Sequence, residues 1–381
     1  MNERKRLAFR LLVLPFLAAI LLPYSMKRWM FDHNFSIFYF LLVSSGISFG
    51  LIPVMYKLGM AMDITDHPGG RHTHKHITPR TGGIAIFITF IITLNLVIDP
   101  PREFQGLFWA SCIMAFIGIV DDIKSLPATV KMLGQIIAVT VLIWYGFTFS
   151  FLPDTFIGNT VEILLTYLWI LGIVNAFNCL DGMDGLAAGV GIIILGFFSW
   201  IAYSVGDMFL MVVSIILLGA ILGFLPYNFR VRNKGLIFLG DTGSTFIGFT
   251  IAALSIYGNW GQDKSVDMII PVLLLAVPIT DMVMTTVIRT TRKQVRSLRE
   301  LMAYAGNDHF HHRLQQLGIQ PKQTVIVIYL LTIVMGLISL LLKHGDFASS
   351  LISLAIGIII FYMIVAFMLH ADKEKKQVEK K

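Results

Sequence analysis

Residues 161–203 read "VEILLTYLWILGIVNAFNCLDGMDGLAAGVGIIILGFFSWIAY". Two apolar runs, Val161–Val174 and Ala187–Tyr203, flank the segment Asn175–Leu186, which carries Asp181 and Asp184. An ionised aspartate at the centre of a bilayer costs ~2.5–3.5 kcal/mol even on the mild insertion scale. The two acids therefore belong at the mouth of a helix pair, where water reaches them. A helical crossing needs about 20 residues, so the ends of the runs extend into the polar motif between them. This reading decides the fold class: membrane-spanning helices joined by short polar turns.

The rest of the chain repeats the pattern. Its 381 residues are 56% hydrophobic and 14% charged, with mean hydropathy +0.76, whereas a soluble domain carries about a quarter charged residues. Twelve candidate spans can be drawn: Leu7–Pro23, Phe38–Lys57, Gly83–Ile98, Gly106–Val120, Met132–Phe147, Val161–Val174, Leu186–Tyr203, Met208–Leu225, Ser244–Tyr257, Met268–Ile288, Val325–Leu342 and Leu351–Leu369. The expected fold is an all-α polytopic integral membrane protein of about 11–12 transmembrane helices. Residues 1–36 form an extra N-terminal helix with its outer loop, 37–371 the main membrane domain, and 372–381 a charged tail. The opening "MNERKRLAFRLLVLPFLAAILL" has the basic start and apolar core of a signal peptide. No small-x-small cleavage site follows, so a retained helix is expected.

Basic residues orient the spans. Of the 30 Lys and Arg, 25 fall in one set of alternate loops and tails, and only Lys27, Arg28, Arg102, Lys264 and Lys343 in the other. The richer set is cytoplasmic by the positive-inside rule, which puts both termini inside. The net charge of +7 is this asymmetry and not a nucleic-acid footprint. Cys112 and Cys179 lie in or near spans and give no disulfide framework.

With this orientation every unusual polar stretch falls on the cytoplasmic face. A transporter needs an ionisable site near the midplane; here Asp281 is the exception mid-span, about eight residues from Arg289. One-sided chemistry points to an enzyme meeting a water-soluble substrate at the inner surface. A divalent-metal or phosphate transporter is the alternative of a different class.

Each cluster has a bland and a chemical reading. Asp121 and Asp122 in "GIVDDIKS" point about 100° apart on a helix, and Asp121 shares a face with Lys124. They form either a polar helix end with one ion pair or a metal or phosphate site. Asn178, Asp181 and Asp184 are spaced three apart and can line one helix face, offering hard oxygen donors suited to Mg²⁺ or Mn²⁺, or they are simple capping acids. In "FLGDTGST" (238–245), Asp241 either N-caps the following helix or holds a metal beside a phosphate seated on free N–H groups. In "DHFHHRL" (308–314), His309, His311, His312 and Arg313 offer anion contacts, or a wet basic loop. "RTTRKQVRSLRE" (289–300) carries basic residues at helical spacing, the pattern of a surface helix against anionic headgroups. Together the clusters suit phosphoryl-group chemistry, where positioning and charge neutralisation dominate.

These motifs, from about Ile52 to Leu317, resemble the polyprenyl-phosphate N-acetylhexosamine-1-phosphate transferases of glycosyltransferase family 4. The bacterial N-acetylglucosaminyl branch fits best: the first cytoplasmic loop carries Asp66, Pro68, Arg71, His74, Pro79, Arg80, Gly82 and Gly83, and the late loop reads His-x-His-His. The branch using the muramyl-pentapeptide nucleotide has three consecutive histidines followed by Phe-Glu, which this chain lacks. The span Leu7–Pro23 is a departure, since family members usually have ten or eleven. The resemblance implies that Asn178 and Asp241 hold Mg²⁺ (Mn²⁺ substituting) on the nucleotide diphosphate, and that Asp121 and Asp122 form the acidic pair at the reaction centre. It implies that Asp184 contacts uracil and Phe238 stacks on it. His309, His311, His312 and Arg313 fall in the segment that meets the phosphates and sugar. Lys124, Asp181, Asn228, Arg71 and His74 complete the implied substrate-binding set. The implied reaction takes UDP-N-acetylglucosamine and undecaprenyl phosphate to undecaprenyl-diphospho-N-acetylglucosamine and UMP, at the inner face of a bacterial plasma membrane. It would be the first lipid-linked step of a cell-wall or surface polysaccharide. Another UDP-N-acetylhexosamine, including the muramyl-pentapeptide nucleotide, is the nearer alternative; a homodimer is left open, and no nucleic-acid partner is implied.

Overall fold

The computed structural model describes residues 28–30, 35–67, 77–97, 101–230, 234–258, 260, 268–295, 300, 306, 308–342, 348–349, 351–360, 362–363 and 366. The predicted first span Leu7–Pro23, the loop residues Arg71 and His74, and the tail 372–381 lie outside them.

Helices dominate because lipid offers backbone N–H and C=O groups no partner, so each segment must satisfy its own. In chain order they are α1 (Ser36–Ala61), α2 (Gly82–Leu94), α3 (Arg102–Ile123), α4 (Ala128–Trp144), α5 (Phe156–Leu180), α6 (Leu186–Val205), α7 (Met208–Asn228), α8 (Gly240–Tyr257), α9 (Ile269–Leu274), α10 (Ala276–Thr291), α11 (Phe310–Gln316), α12 (Pro321–Leu342) and α13 (Leu351–Ile360). Six of the described helices, α1, α3, α5, α6, α7 and α12, are long and apolar enough to cross a bilayer; α2, α4 and α13 are shorter apolar helices. The protein is an all-α, multi-pass membrane protein.

Each predicted span from Phe38 onward overlaps a described helix, with one break. The span Met268–Ile288 divides at Leu275 into α9 and α10. Pro278 explains the break: it has no N–H for the carbonyl four residues back, at Leu274. As expected, the helix ends run into the polar motifs: α3 includes Asp121 and Asp122, and α5 includes Asn178.

Helix α8 is the central element. Fourteen of its 18 residues are buried, and it packs on α5, α3 and α2. Small residues set these distances, as between membrane helices generally. A Cβ at Gly118 of α3 would lie 2.5 Å from the Cα of Thr242, and one at Gly248 of α8 would lie 2.8 Å from the Cβ of Phe177. The start of α8 is thus pressed against the acidic end of α3.

The first loop is strapped to the same place. Thr65–Asp66 (β1) and Thr78–Pro79 (β2) form a two-residue antiparallel pair. Beyond it, Phe238 N donates to Pro79 O (2.8 Å), Gly82 N to Phe238 O (3.0 Å) and Gly83 N to Leu239 O (2.8 Å). These bonds fix the segment entering α8 against the start of α2.

Candidate active site

The site lies where the ends of four helices meet: the C-terminal ends of α3 and α5, and the first turns of α4 and α8. Its frame is Asp122, which is 8% exposed. Asp122 Oδ1 accepts the N–H of Asp241 (2.9 Å), and Oδ2 accepts both the N–H (2.9 Å) and the hydroxyl (2.6 Å) of Thr242. The first N–H groups of a helix have no partner within it, and here a carboxylate from another helix supplies one. Asp241 is therefore not the cap of its own helix, as one sequence reading had it. It sits inside the first turn of α8, and Asp122 does the capping from α3. The turn is tight enough to require glycine: Gly240 has φ +74°, and a Cβ there would lie 2.8 Å from Asp122 Oδ2.

Capping from outside leaves the Asp241 carboxylate for other partners. Asn178 Nδ2 donates to its Oδ1 (3.0 Å) and to Ser244 Oγ (3.0 Å). Lys131, in the first turn of α4, donates to Asp241 Oδ2 (2.9 Å) and pairs closely with Asp121 Oδ2. Asp121 Oδ1 accepts the N–H of Leu126 (2.7 Å), which turns the chain from α3 into α4. One ammonium therefore bridges two carboxylates from different helices. Lys124, the lysine that the resemblance implies, is exposed, next to the end of α3. Lys131 follows the short connection 124–127 and stands at the start of an apolar span, a basic residue at the edge of a hydrophobic window. That signal was readable but carried no partner.

The Asn178, Asp181 and Asp184 set does not line one helix face. Helix α5 ends at Leu180, Asp181 is its C-cap, and Asp184 lies in the turn beyond. The turn closes with Gly185 at φ +80°, a left-handed conformation natural to glycine. Asn228 then ties two loops together, accepting the Gly185 N–H on Oδ1 (2.6 Å) and donating from Nδ2 to Ile237 O (2.9 Å). Asp184 Oδ2 accepts the N–H of Gly235 (2.8 Å). Asp184 and Asn228 thus brace the segment that delivers Phe238, a half-buried aromatic, to the strap beside the site. Asp181 is held well above the usual carboxylate range by burial, and the charges of Asp241, Asp122 and Asp184 add to this against the opposing Arg80. Arg80 itself pairs with Asp66.

The histidine segment closes the site from the α10 side. Helix α10 ends at Thr291 and Lys293 turns the chain with φ +55°; residues 296–299 of the basic run lie outside the described residues. Arg289 is 5% exposed and forms a two-pronged pair with Asp308, Nε to Oδ2 (2.8 Å) and Nη2 to Oδ1 (2.6 Å). Burial works against the Asp308 charge, but Arg289 outweighs it and lowers the carboxyl. Arg313 Nε donates to Asp308 O (2.8 Å). His309 is the N-cap residue of α11, and His311 and His312 lie in its first turn. Burial opposes charge on His309, yet hydrogen bonds to Asp281 and Cys179 lift it to about 10. His311 is 1% exposed; burial, then the charge of His312, pushes it down to about 3. Among the described residues neither ring nitrogen of His311 has a hydrogen-bond partner. Its ring packs on the turn after α5, where a Cβ on Gly182 would lie 2.5 Å from Nε2.

The donor set fits a hard divalent cation. Asp121, Asp122, Asp181, Asp184 and Asp241 crowd one region, and Lys131 already stands as a cation between two of them. Asp241 and Asn178 contribute oxygen donors, the kind that Mg²⁺ prefers. Among the described residues no three His, Cys, Asp or Glu side chains are grouped so as to hold a metal ion by themselves. An ion here would take remaining ligands from substrate phosphates and water, the usual situation for Mg²⁺.

Comparison with known proteins makes this multi-pass membrane chain an enzyme, a sugar-phosphate transferase. Residues 104–259 match the family model described as glycosyl transferase family 4. The chain is 33% identical over 331 residues to a probable undecaprenyl-phosphate N-acetylglucosaminyl 1-phosphate transferase of Bacillus subtilis, covering 85% of this chain and 90% of that one. It is 33% identical over 301 residues to the decaprenyl-phosphate N-acetylglucosaminephosphotransferase of Mycobacterium tuberculosis, covering 69% and 72%. It is 24% identical over 317 residues to the undecaprenyl-phosphate alpha-N-acetylglucosaminyl 1-phosphate transferase of Escherichia coli K12, covering 81% and 84%. The chain belongs to glycosyl transferase family 4. The matched stretch, from α3 to just past α8, contains Asp121, Asp122, Lys131, Asn178, Asp181, Asp184, Asn228 and Asp241.

Proposed function

We propose that the chain transfers N-acetylglucosamine-1-phosphate from UDP-N-acetylglucosamine to undecaprenyl phosphate, giving undecaprenyl-diphospho-N-acetylglucosamine and UMP at the cytoplasmic face. The observation that carries this reading is the Asp121–Lys131–Asp241 bridge at the joined helix ends, capped by Asp122. It is a charged, preorganised platform that a structural helix junction does not need. The names of the three relatives support the acceptor class and the sugar.

The second pKa of a phosphate monoester is near 6, so the lipid phosphate arrives largely as a dianion. One of its oxygens forms a bond to the β-phosphorus of the sugar nucleotide. The bond from that phosphorus to the oxygen bridging it to the α-phosphorus breaks, and UMP departs with that oxygen. The barrier is dominated by bringing two anions together and by charge on the leaving oxygen. Lys131 stands at the bridge to offset that charge, and Asp121 orients it. A magnesium ion on Asp241 and Asn178 would supply further neutralisation across the diphosphate. Asp122 acts one step back, holding the first turn of α8 so that Asp241 faces the site. His309, His311, His312 and Arg313 approach from the start of α11 towards the sugar and phosphates, and Phe238 and Asp184 serve the uracil. Arg71 and His74 belong with this set by resemblance alone.

The test is purified protein in detergent with undecaprenyl phosphate, Mg²⁺ and a panel of UDP-sugars, reading UMP release and lipid-linked product. UDP-N-acetylglucosamine should be the preferred donor. Preference for the muramyl-pentapeptide nucleotide, or no UMP with any donor, would refute the reading; the second outcome would also revive a transport role.

A further inference from the structure

Asp281 is a carboxylate in the middle of α10, 2% exposed, in a stretch that otherwise reads as a membrane span. The mechanism above does not use it. Both its oxygens are engaged, and both bonds go to the histidine segment, 28 and 29 residues further along the chain. Oδ2 lies 3.0 Å from His309 Nδ1, and Oδ1 accepts the backbone N–H of Phe310 at 2.6 Å. A carboxylate facing Nδ1 accepts and does not donate, so the Nδ1 of His309 carries a proton and the ring plane is set. The Phe310 N–H is the first of α11, so the same carboxylate also anchors the start of the helix that carries His311, His312 and Arg313. On the far side of the ring, Nε2 lies 3.3 Å from Arg289 Nη2, which also holds Asp308.

Resting on the transferase reading above, we infer that Asp281 is a positioning residue: it fixes the orientation of His309 and anchors α11 against α10. It acts through His309 and touches no substrate. The logic is that of a carboxylate orienting a working imidazole through its Nδ1–H.

The experiment is a double-mutant cycle on Asp281→Asn and His309→Ala. Asparagine is isosteric and keeps one oxygen for the Phe310 N–H, so it removes chiefly the charged acceptor at Nδ1. Asp281→Asn should lower kcat/KM for UDP-N-acetylglucosamine by roughly 10- to 100-fold. In the His309→Ala background the same change should cost less than about threefold, because residues acting as a unit are strongly non-additive. Thermal midpoints of the four proteins, read without substrate, should show the same coupling. If Asp281→Asn does not fold, the cycle is run with Asp281→Glu, and its effect must again vanish in the His309→Ala background. Full activity of Asp281→Asn, or losses that multiply in the double variant, would overturn the assignment. Failure of the transferase reading would look different: the unmodified protein would release no UMP, while the coupling in the thermal midpoints would still test Asp281.

Discussion

Replacing Asp122 separates two roles that its neighbourhood allows, a covalent nucleophile and a helix cap. Its oxygens accept two backbone N–H groups and one hydroxyl from the first turn of α8, at 2.6–2.9 Å. Leaving a buried N–H without a partner costs about 1–3 kcal/mol. Asp122→Ala strands both N–H groups and should destabilise the protein by roughly 2–6 kcal/mol on that scale. Asp122→Asn keeps one oxygen acceptor but turns an amide N–H₂ toward the remaining donors. It should cost about 1–3 kcal/mol, one stranded group rather than two. Turnover should fall in the same order, because a loosened first turn moves Asp241; a misplacement of ~1 Å costs on the order of 100-fold. The assay is thermal unfolding in detergent beside UMP release, for both variants. A cap predicts graded losses, with Asp122→Asn folded less stably but still turning over. The reasoning is refuted if Asp122→Asn melts like the unmodified protein yet has no turnover. Acid-quench trapping of an aspartyl-phosphate at Asp122 would refute it directly.

Lys131→Ala should reduce turnover by at least about 100-fold, since it removes the charge between Asp121 and Asp241, whereas Lys124→Ala should stay within about twofold, as for an exposed side chain outside the site; parallel rate measurements decide. Excess chelator should abolish UMP release, and Mg²⁺ or Mn²⁺ should restore it; full activity in chelator would remove the metal from the proposal. Gly182→Ala puts a methyl 2.5 Å from His311 Nε2, so it should displace that ring and lower kcat/KM while the thermal midpoint shifts little. Unchanged kinetics would mean that His311 is not held for substrate.

Much of this molecule follows from one-dimensional information. Membrane helices are dictated by run length and by the lack of backbone partners in lipid, so spans such as Met208–Leu225 and Val325–Leu342 are legible without knowledge of their neighbours. The acids at 121, 122, 181, 184 and 241 were legible as a group because charge next to an apolar run is costly and must be explained. Pairing was not legible, because it depends on which helix ends meet. Lys124 and Lys131 are both lysines near the same acids in sequence, yet only Lys131, carried on α4 and turned back by the loop after α3, reaches Asp121 and Asp241. Arg289 reads as one more positive charge at a membrane edge until the fold brings Asp308 against it. Asp281 reads as a stray acid until the histidine segment folds onto α10. Periodicity also failed at helix ends: Asn178, Asp181 and Asp184 keep a spacing of three, but the helix stops at Leu180 and the spacing loses its meaning. Hydrophobic burial is set by composition along the chain, so sequence alone determines the spans. Hydrogen bonds and ion pairs act over about 3 Å between segments distant in sequence, so only the tertiary structure decides which charge meets which.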